Sequence, residues 1–234
     1  MYCLTITTDN KWSDRKYRSW RRLLEDLEIG YLDTELLPLL VLVNRDVDLY
    51  TTSSCSGRVV VMDSEYPWER EETGIVFKTH NPIKPSDLEF IYSKPVYKRL
   101  WIVVSGPIIH IYSRSFKLAS TILNTARRVG FKHSGVMHYS RDTGLFIELV
   151  TGIYIAQLAR TRDEVIIEQT KIAKLVDVVN NTLLEGKKRL EALYVELSKI
   201  LPRKTDPLIE GDLKTRGFQA IINPRSYSRL INNS

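Results

Sequence analysis

The sequence predicts an α+β fold: a mixed, largely antiparallel sheet covered by helices, with a long C-terminal helix packed alongside. Three observations carry this. Short β-type runs bounded by Gly, Pro, Asn and Ser recur between Val47 and Leu158. Apolar stripes of helical period interrupt and follow them. No glycine-rich dinucleotide fingerprint follows any run, and the order is not a regular βαβ alternation, so a Rossmann-type methyltransferase or dehydrogenase is disfavoured. The 234 residues, 43% of them hydrophobic, suffice for one generous domain, placed at residues 1–201, with 202–234 as a basic C-terminal arm.

In chain order, the window from Lys11 to Arg22 mixes basic residues with Trp12, Tyr17 and Trp20. Asp14 is placed to cap a helix that Gly30 closes. Two uses fit it. Cations and rings could follow RNA phosphates and bases, or Trp20, Leu23, Leu24 and Leu27 could be buried under a solvated basic face. A second helix runs from Thr34 to about Val43, capped by Asp33, with Pro38 tolerable near its start. Val47–Thr52 and Arg58–Asp63 read as strands paired through a serine turn. Gly74–His80, Leu100–Ser105 and Ile108–Tyr112 are further strands, and in the last Ile108, His110 and Tyr112 share one face. Ser115 caps a helix that Gly130 ends, with Leu118, Ile122, Ala126 and Val129 on its apolar stripe. A hairpin through Arg141–Gly144 enters Leu145–Val150, and Ile153–Leu158 continues in the same style. The longest helix is predicted from near Arg162 to just before Pro202 on a 4-3 stripe, as one helix or as two bent at Gly186, which falls where an apolar residue is due. It serves core packing or a coiled-coil dimer, so the oligomeric state is open.

A net charge of +6 favours an anionic partner. RNA, a phosphorylated ligand and a membrane surface all satisfy it, although the most apolar stretch, Leu36–Val43, is too short to span a bilayer. With no secretory pattern in Met1–Ser13, the chain reads as cytoplasmic. Cys3 and Cys55 are too few for a disulfide framework, and His80, His110, His133 and His138 lack metal-ligand spacing, so no metal is expected.

The most informative stretch is Thr51-Thr52-Ser53-Ser54-Cys55-Ser56-Gly57-Arg58. Turn amides, hydroxyls and a guanidinium can converge on a phosphate or carboxylate. Equally, the serines can bond their own backbone with Arg58 in solvent. His80 ends a strand and His110 sits within one. Each is either a functional imidazole or a satisfied half-buried residue. Cys55 reads as a small buried residue.

Taken together, Asn44-Arg45-Asp46, Tyr50 to Arg58, Asp63, Thr79-His80, Pro107-Ile108-Ile109-His110-Ile111, Gly130-Phe131-Lys132-His133-Ser134-Gly135-Val136 and Lys187-Lys188-Arg189-Leu190-Glu191 resemble the tRNA wybutosine-synthesizing protein 3 family. The resemblance spans roughly residues 12 to 201. One departure is Gly106, where eukaryotic members carry an acidic residue before the proline of the histidine strand. The resemblance implies an S-adenosylmethionine-dependent methyltransferase acting on N4 of the tricyclic wyosine-type base next to the anticodon of tRNA-Phe, with the anticodon stem-loop as partner. It places Ser53, Ser54, Ser56, Gly57 and Arg58 on an anionic group, the cofactor carboxylate or a tRNA phosphate. Asp63 would take ribose hydroxyls, His80 or His110 would accept the proton, and Ser134 and Gly135 would form an opposing wall, with Arg18 and Arg22 on the substrate. Two other functions fit the residues alone. One is a tRNA-binding module without catalysis, and the other is a small-molecule enzyme anchored by Arg58 with a histidine base.

Overall fold

A computed structural model of the chain describes residues 9–69, 71 and 73–218. Cys3 and the turn signal at Pro224 lie outside them. In chain order the elements are α1 (Asp9–Glu28), α2 (Leu37–Asn44), β1 (Leu49–Thr51), β2 (Arg58–Asp63), β3 (Gly74–Thr79), α3 (Phe90–Ser93), β4 (Arg99–Ser105), β5 (Ile108–Ser113), α4 (Phe116–Arg128), β6 (Gly135–Ser140), β7 (Gly144–Val150), β8 (Tyr154–Thr161), α5 (Ile172–Ser198) and α6 (Pro207–Thr215). The α+β class and the long helix stand. Among the described residues, however, the strands form two four-stranded sheets, ordered β1-β5-β7-β6 and β3-β2-β4-β8, and every strand pairing within each sheet is antiparallel. Among the described residues no helix is long and apolar enough to cross a membrane.

The chain divides into two compact units, one of Met1–Ser56, Ile108–Thr151 and Arg189–Ser234, the other of Gly57–Pro107 and Gly152–Lys188. The first is built on β1-β5-β7-β6. Strict alternation sends Leu49, Ile109, Ile111, Leu145, Ile147 and Leu149 into the core, where Leu23, Leu39, Leu118, Ile122, Leu193 and Leu197 meet them. Ser115 Oγ accepts the Leu118 amide at 3.3 Å and starts α4 as the sequence predicts. Asn44 closes α2 onto β1, its amide donating to Thr51 Oγ1 at 2.6 Å while its carbonyl accepts the Thr51 amide at 3.2 Å.

In the second unit Val59, Val61, Ile102, Val104 and Ala159 face a separate core shared with Ile172, Val176, Val179 and Leu183 of α5. Asn180 adds a two-way bond to the backbone of Ile83, 2.8 Å in each direction. Gly186 interrupts the apolar stripe because a Cβ there would lie 3.0 Å from Pro107 Cδ and 3.4 Å from Gly106 Cα. Close approach, rather than a bend, explains the glycine, and α5 runs through it as one helix.

Four sequence expectations are corrected. β1 does not pair with β2 across the serine turn: β1 pairs with β5, and β2 with β3 and β4. The Asp33 side chain makes no cap bond to the helical turn that follows it. The long helix begins at Ile172, ten residues later than predicted, because β8 extends to Thr161 and a loop precedes the helix. Finally, the stretch read as a basic arm contains α6, whose Ile209 and Leu213 are buried in the first core.

That last segment is tied down by a buried polar cluster. Lys16 on α1 is 1% exposed, with Nζ 3.3 Å from Asp206 Oδ2 and a further bond to Asp46 O. Burial pushes the ammonium below its usual pKa, and Asp206 pulls it back up. Asp206 also accepts from Tyr17 Oη at 2.9 Å and caps α6. Asp46 Oδ2 accepts the Arg203 amide at 2.6 Å, and Arg45 pairs with Glu210. Replacing Lys16 by Met leaves Asp206 buried without its cation, a loss expected to cost about 3–5 kcal/mol. Urea denaturation measures it, and a cost under about 1 kcal/mol would show that the pair does not hold the segment.

Candidate active site

Helix α1 separates its aromatic and basic residues by face. Lys11, Arg15, Arg18 and Arg22 follow one another at intervals of four, three and four, and all are exposed. Trp12 and Trp20 turn inward at 1% exposure each, their indole N–H groups donating to Val47 O and to Asp212 Oδ2, both at 3.0 Å. These two rings therefore hold the fold and are not presented for base stacking. What α1 offers a ligand is a cationic stripe.

Beside that stripe, within the same unit, lies a cleft of about 630 Å³. Arg18 and Arg22 line it from α1, Thr52, Ser53 and Ser54 from the serine turn, and Leu23, Leu32 and Leu40 are among its apolar lining residues. Tyr31, 77% exposed, is at its edge. Arg22 Nε is 2.9 Å from Asp26 Oδ1, one helical turn on. The volume and the mix of apolar wall and few polar groups suit a small organic ligand.

The serine turn does not work as an open nest of amides. The Thr52 amide donates to His110 O at 3.1 Å, and Cys55 and Ile108 exchange two backbone bonds of 2.9 and 3.0 Å. Ser56 is fully buried, with N and Oγ both donating to Asp33 Oδ2 at 2.9 and 3.0 Å. Asp33 thus anchors the turn. Ser54 Oγ donates to Thr52 O and accepts the His110 amide, both at 3.3 Å. Cys55 is half-buried. Ser53 is the exposed hydroxyl of the turn.

Ser53 Oγ lies 3.2 Å from His110 Nδ1, and His110 Nε2 lies 2.9 Å from Glu148 Oε2. Strand register makes this row: His110 on β5 is directly opposite Glu148 on β7, which is opposite Gly135 on β6. The neighbouring row carries Tyr50, Tyr112 and Phe146, with ring centroids 4.8 and 4.9 Å apart, and the Phe146 ring also meets His110 edge-on at 5.1 Å. Burial and the neighbouring Tyr112 push the Tyr50 phenol above its usual pKa, so it stays neutral. Sequence reasoning missed Glu148. The one acidic residue in Leu145–Val150 was visible, but its partner is a matter of register.

Of the expected site residues, Arg18, Arg22, Ser53 and Ser54 meet in the cleft, with His110 bonded to Ser53 and Gly135 in the histidine row. Ser134 is a correction. Its hydroxyl donates to Phe131 O at 2.7 Å and accepts the Val150 amide at 3.0 Å, so it buttresses a loop instead of forming a substrate wall. The same holds for Ser56. Gly57, Arg58, Asp63 and His80 belong to the second unit. Asp63 is 8% exposed and its two oxygens accept the amides of Tyr97 and Lys98 at 2.7 and 2.8 Å, which fixes a turn and leaves it ill-placed for ribose hydroxyls. Arg58 opens β2 and is exposed. His80 Nδ1 donates to Gly57 O at 2.8 Å, so the neutral ring carries its lone pair on Nε2.

The methyltransferase TYW3 family model matches residues 14–199. A curated protein of Saccharolobus solfataricus named tRNA(Phe) 7-((3-amino-3-carboxypropyl)-4-demethylwyosine(37)-N(4))-methyltransferase is 40% identical over 188 residues, 80% of this chain and 90% of that protein. A protein of the same name from Aeropyrum pernix is 32% identical over 76% of this chain and 95% of its own. Among solved structures, the PH1069 protein from Pyrococcus horikoshii superposes with a TM-score of 0.75 at 25% identity, covering 81% of this chain and 97% of its own. A hypothetical protein from Aeropyrum pernix gives 0.66 at 30% identity, covering 72% and 99%.

At Gly57 φ is +102°, and a Cβ would sit 2.9 Å from Ser105 O. Gly57→Ala is expected to destabilise the second unit by about 1–3 kcal/mol, since both the left-handed backbone and the carbonyl resist it. Hydrogen exchange of the β2 and β4 amides reads this directly. Unchanged protection there would show that the turn relaxes freely.

Proposed function

We propose that this chain, which belongs to the methyltransferase TYW3 family, methylates N4 of a 4-demethylwyosine-type base next to the anticodon of tRNA-Phe, with S-adenosylmethionine as the donor. The match across residues 14–199 carries the reading. The named activity of its relatives supplies the reaction and substrate. The cleft that brings Arg18, Arg22, Ser53 and Ser54 together supports it.

The α1 stripe of Lys11, Arg15, Arg18 and Arg22 suits the phosphates of the anticodon stem-loop. A base in a loop is extruded at lower cost than one in a duplex, which favours chemistry on this nucleotide. The apolar lining of the cleft, with the Thr52 hydroxyl, fits an adenosyl group, and Arg18 or Arg22 fits a carboxylate or phosphate. When bound, S-adenosylmethionine supplies a methyl already activated by a sulfonium. What remains for the protein is to align the base nitrogen with that methyl and to accept one proton. His110 and His80 are the imidazoles of the expected site, and each keeps an acceptor nitrogen when neutral. No carboxylate at position 106 is needed for this, which accommodates Gly106.

The test uses purified protein, methyl-labelled S-adenosylmethionine and tRNA-Phe from a strain blocked just before this methylation, read by nucleoside mass spectrometry. One methyl is gained on the tricyclic base. Arg15→Ala and Arg18→Ala each weaken tRNA binding and lower the slope of log K against log salt by roughly 0.7–0.9. Salt-sensitive tRNA binding without methyl transfer would instead establish a non-catalytic binding module.

A further inference from the structure

The row Ser53–His110–Glu148 has a directionality that its chemistry dictates. An ionised carboxylate has no proton to donate, so at 2.9 Å Glu148 Oε2 accepts from His110 Nε2–H. A neutral His110 then carries its lone pair on Nδ1, and Ser53 Oγ, 3.2 Å away, is the donor to it. The His110 and Glu148 side chains are 22% and 30% exposed, shielded enough for the pair to hold one geometry. Phe146 braces the ring edge-on at 5.1 Å. Ser53 alone stands exposed, at the cleft. The row thus runs from a partly buried carboxylate, through an imidazole locked in one tautomer, to a hydroxyl presented to a ligand.

We propose that Ser53 and His110 form the proton relay of the methyl transfer, with Glu148 as the positioning residue that fixes the His110 tautomer. This rests on the methyltransferase reading above. In the step, the base nitrogen forms its bond to the methyl carbon while the carbon–sulfur bond breaks, its electron pair going to sulfur and leaving a thioether. The N–H proton passes to Ser53 Oγ as the Ser53 proton passes to His110 Nδ1. The positive charge of the sulfonium ends on the imidazolium, whose Nε2–H faces the Glu148 carboxylate. Ser53 ends the step as a hydroxyl, and His110 is restored when its extra proton passes to water after product leaves. The His110 acceptor nitrogen is already paired with an exposed hydroxyl of the cleft.

Glu148→Gln tests it. The glutamine amide can donate to Nε2, which lets the neutral ring place its proton on Nδ1 and removes the acceptor for Ser53. The expected result is a fall in kcat of about tenfold to a hundredfold, with KM for tRNA and for S-adenosylmethionine within about twofold of wild type. Ser53→Ala, in an exposed turn, gives a fall of similar size, and the double variant falls little further, because the two act as one unit. Nitrogen-15 shifts of His110 at alkaline pH report Nε2–H in the wild type and a shift toward Nδ1–H in Glu148→Gln, which a merely structural role would not produce. A Glu148→Gln enzyme with wild-type kcat, or a wild type whose neutral His110 carries Nδ1–H, overturns the relay while leaving the methyltransferase standing. No transfer by the wild type overturns the reading of function and the relay with it.

Discussion

The antiparallel register of β5 against β7 is the constraint on which the candidate site depends. Because side chains alternate along a strand, setting Ile109 opposite Leu149 and Ile111 opposite Ile147 drives four aliphatic side chains into one core. The same register leaves His110 opposite Glu148 and Tyr112 opposite Phe146 on the other face. A slip by one residue would bury the histidine and expose the isoleucines. Core packing thus enforces a polar pairing that contributes little to stability itself. The serine turn is hung on β5 by the Thr52 and Cys55 amides, so Ser53 inherits its place from the same strand.

A second set of constraints is polar and buried. Asn44, Asp46, Lys16 and Asp206 stitch α1, the end of α2, the start of β1 and the segment before α6 into one piece, each satisfying backbone groups that would otherwise be stranded. Asn44-Arg45-Asp46, a block that supports the family resemblance, makes structural bonds. Two serines do likewise: Ser56 and Ser134 are locked in internal bonds, while Ser53 is left exposed at the cleft. Residue type alone cannot separate these cases, since a hydroxyl that fixes a loop and one that meets a ligand are the same letter in the sequence.

Helix α4, with its Ser115 cap and Gly130 stop, and the strand spans Arg58–Asp63 and Gly74–Thr79 were legible because capping, turn chemistry and alternation are local. The partners of β1 and β2 were not, because a serine turn between two β-type runs looks like a hairpin whether or not the chain changes sheets there. The start of α5 was misplaced for a related reason: the residues between Thr161 and Ile172 carry both helical caps and the end of β8, and tertiary pairing of β8 with β4 decided between them. Helix α6 was read as an arm because its two inward residues, Ile209 and Leu213, are too few to announce a stripe in nine residues.

By itself the sequence determined the α+β class, the basic character of α1, the serine turn with its two histidines and, through ordered motifs, the family. These are properties of residue type and spacing, and spacing along a helix or strand converts directly into a face. Tertiary structure alone decided that Arg18, Arg22, Ser53 and Ser54 share one cleft, that the turn amides are already engaged, and that Glu148 stands behind His110. Each of those joins residues at least 23 positions apart, and no local rule fixes which distant strand a side chain will face.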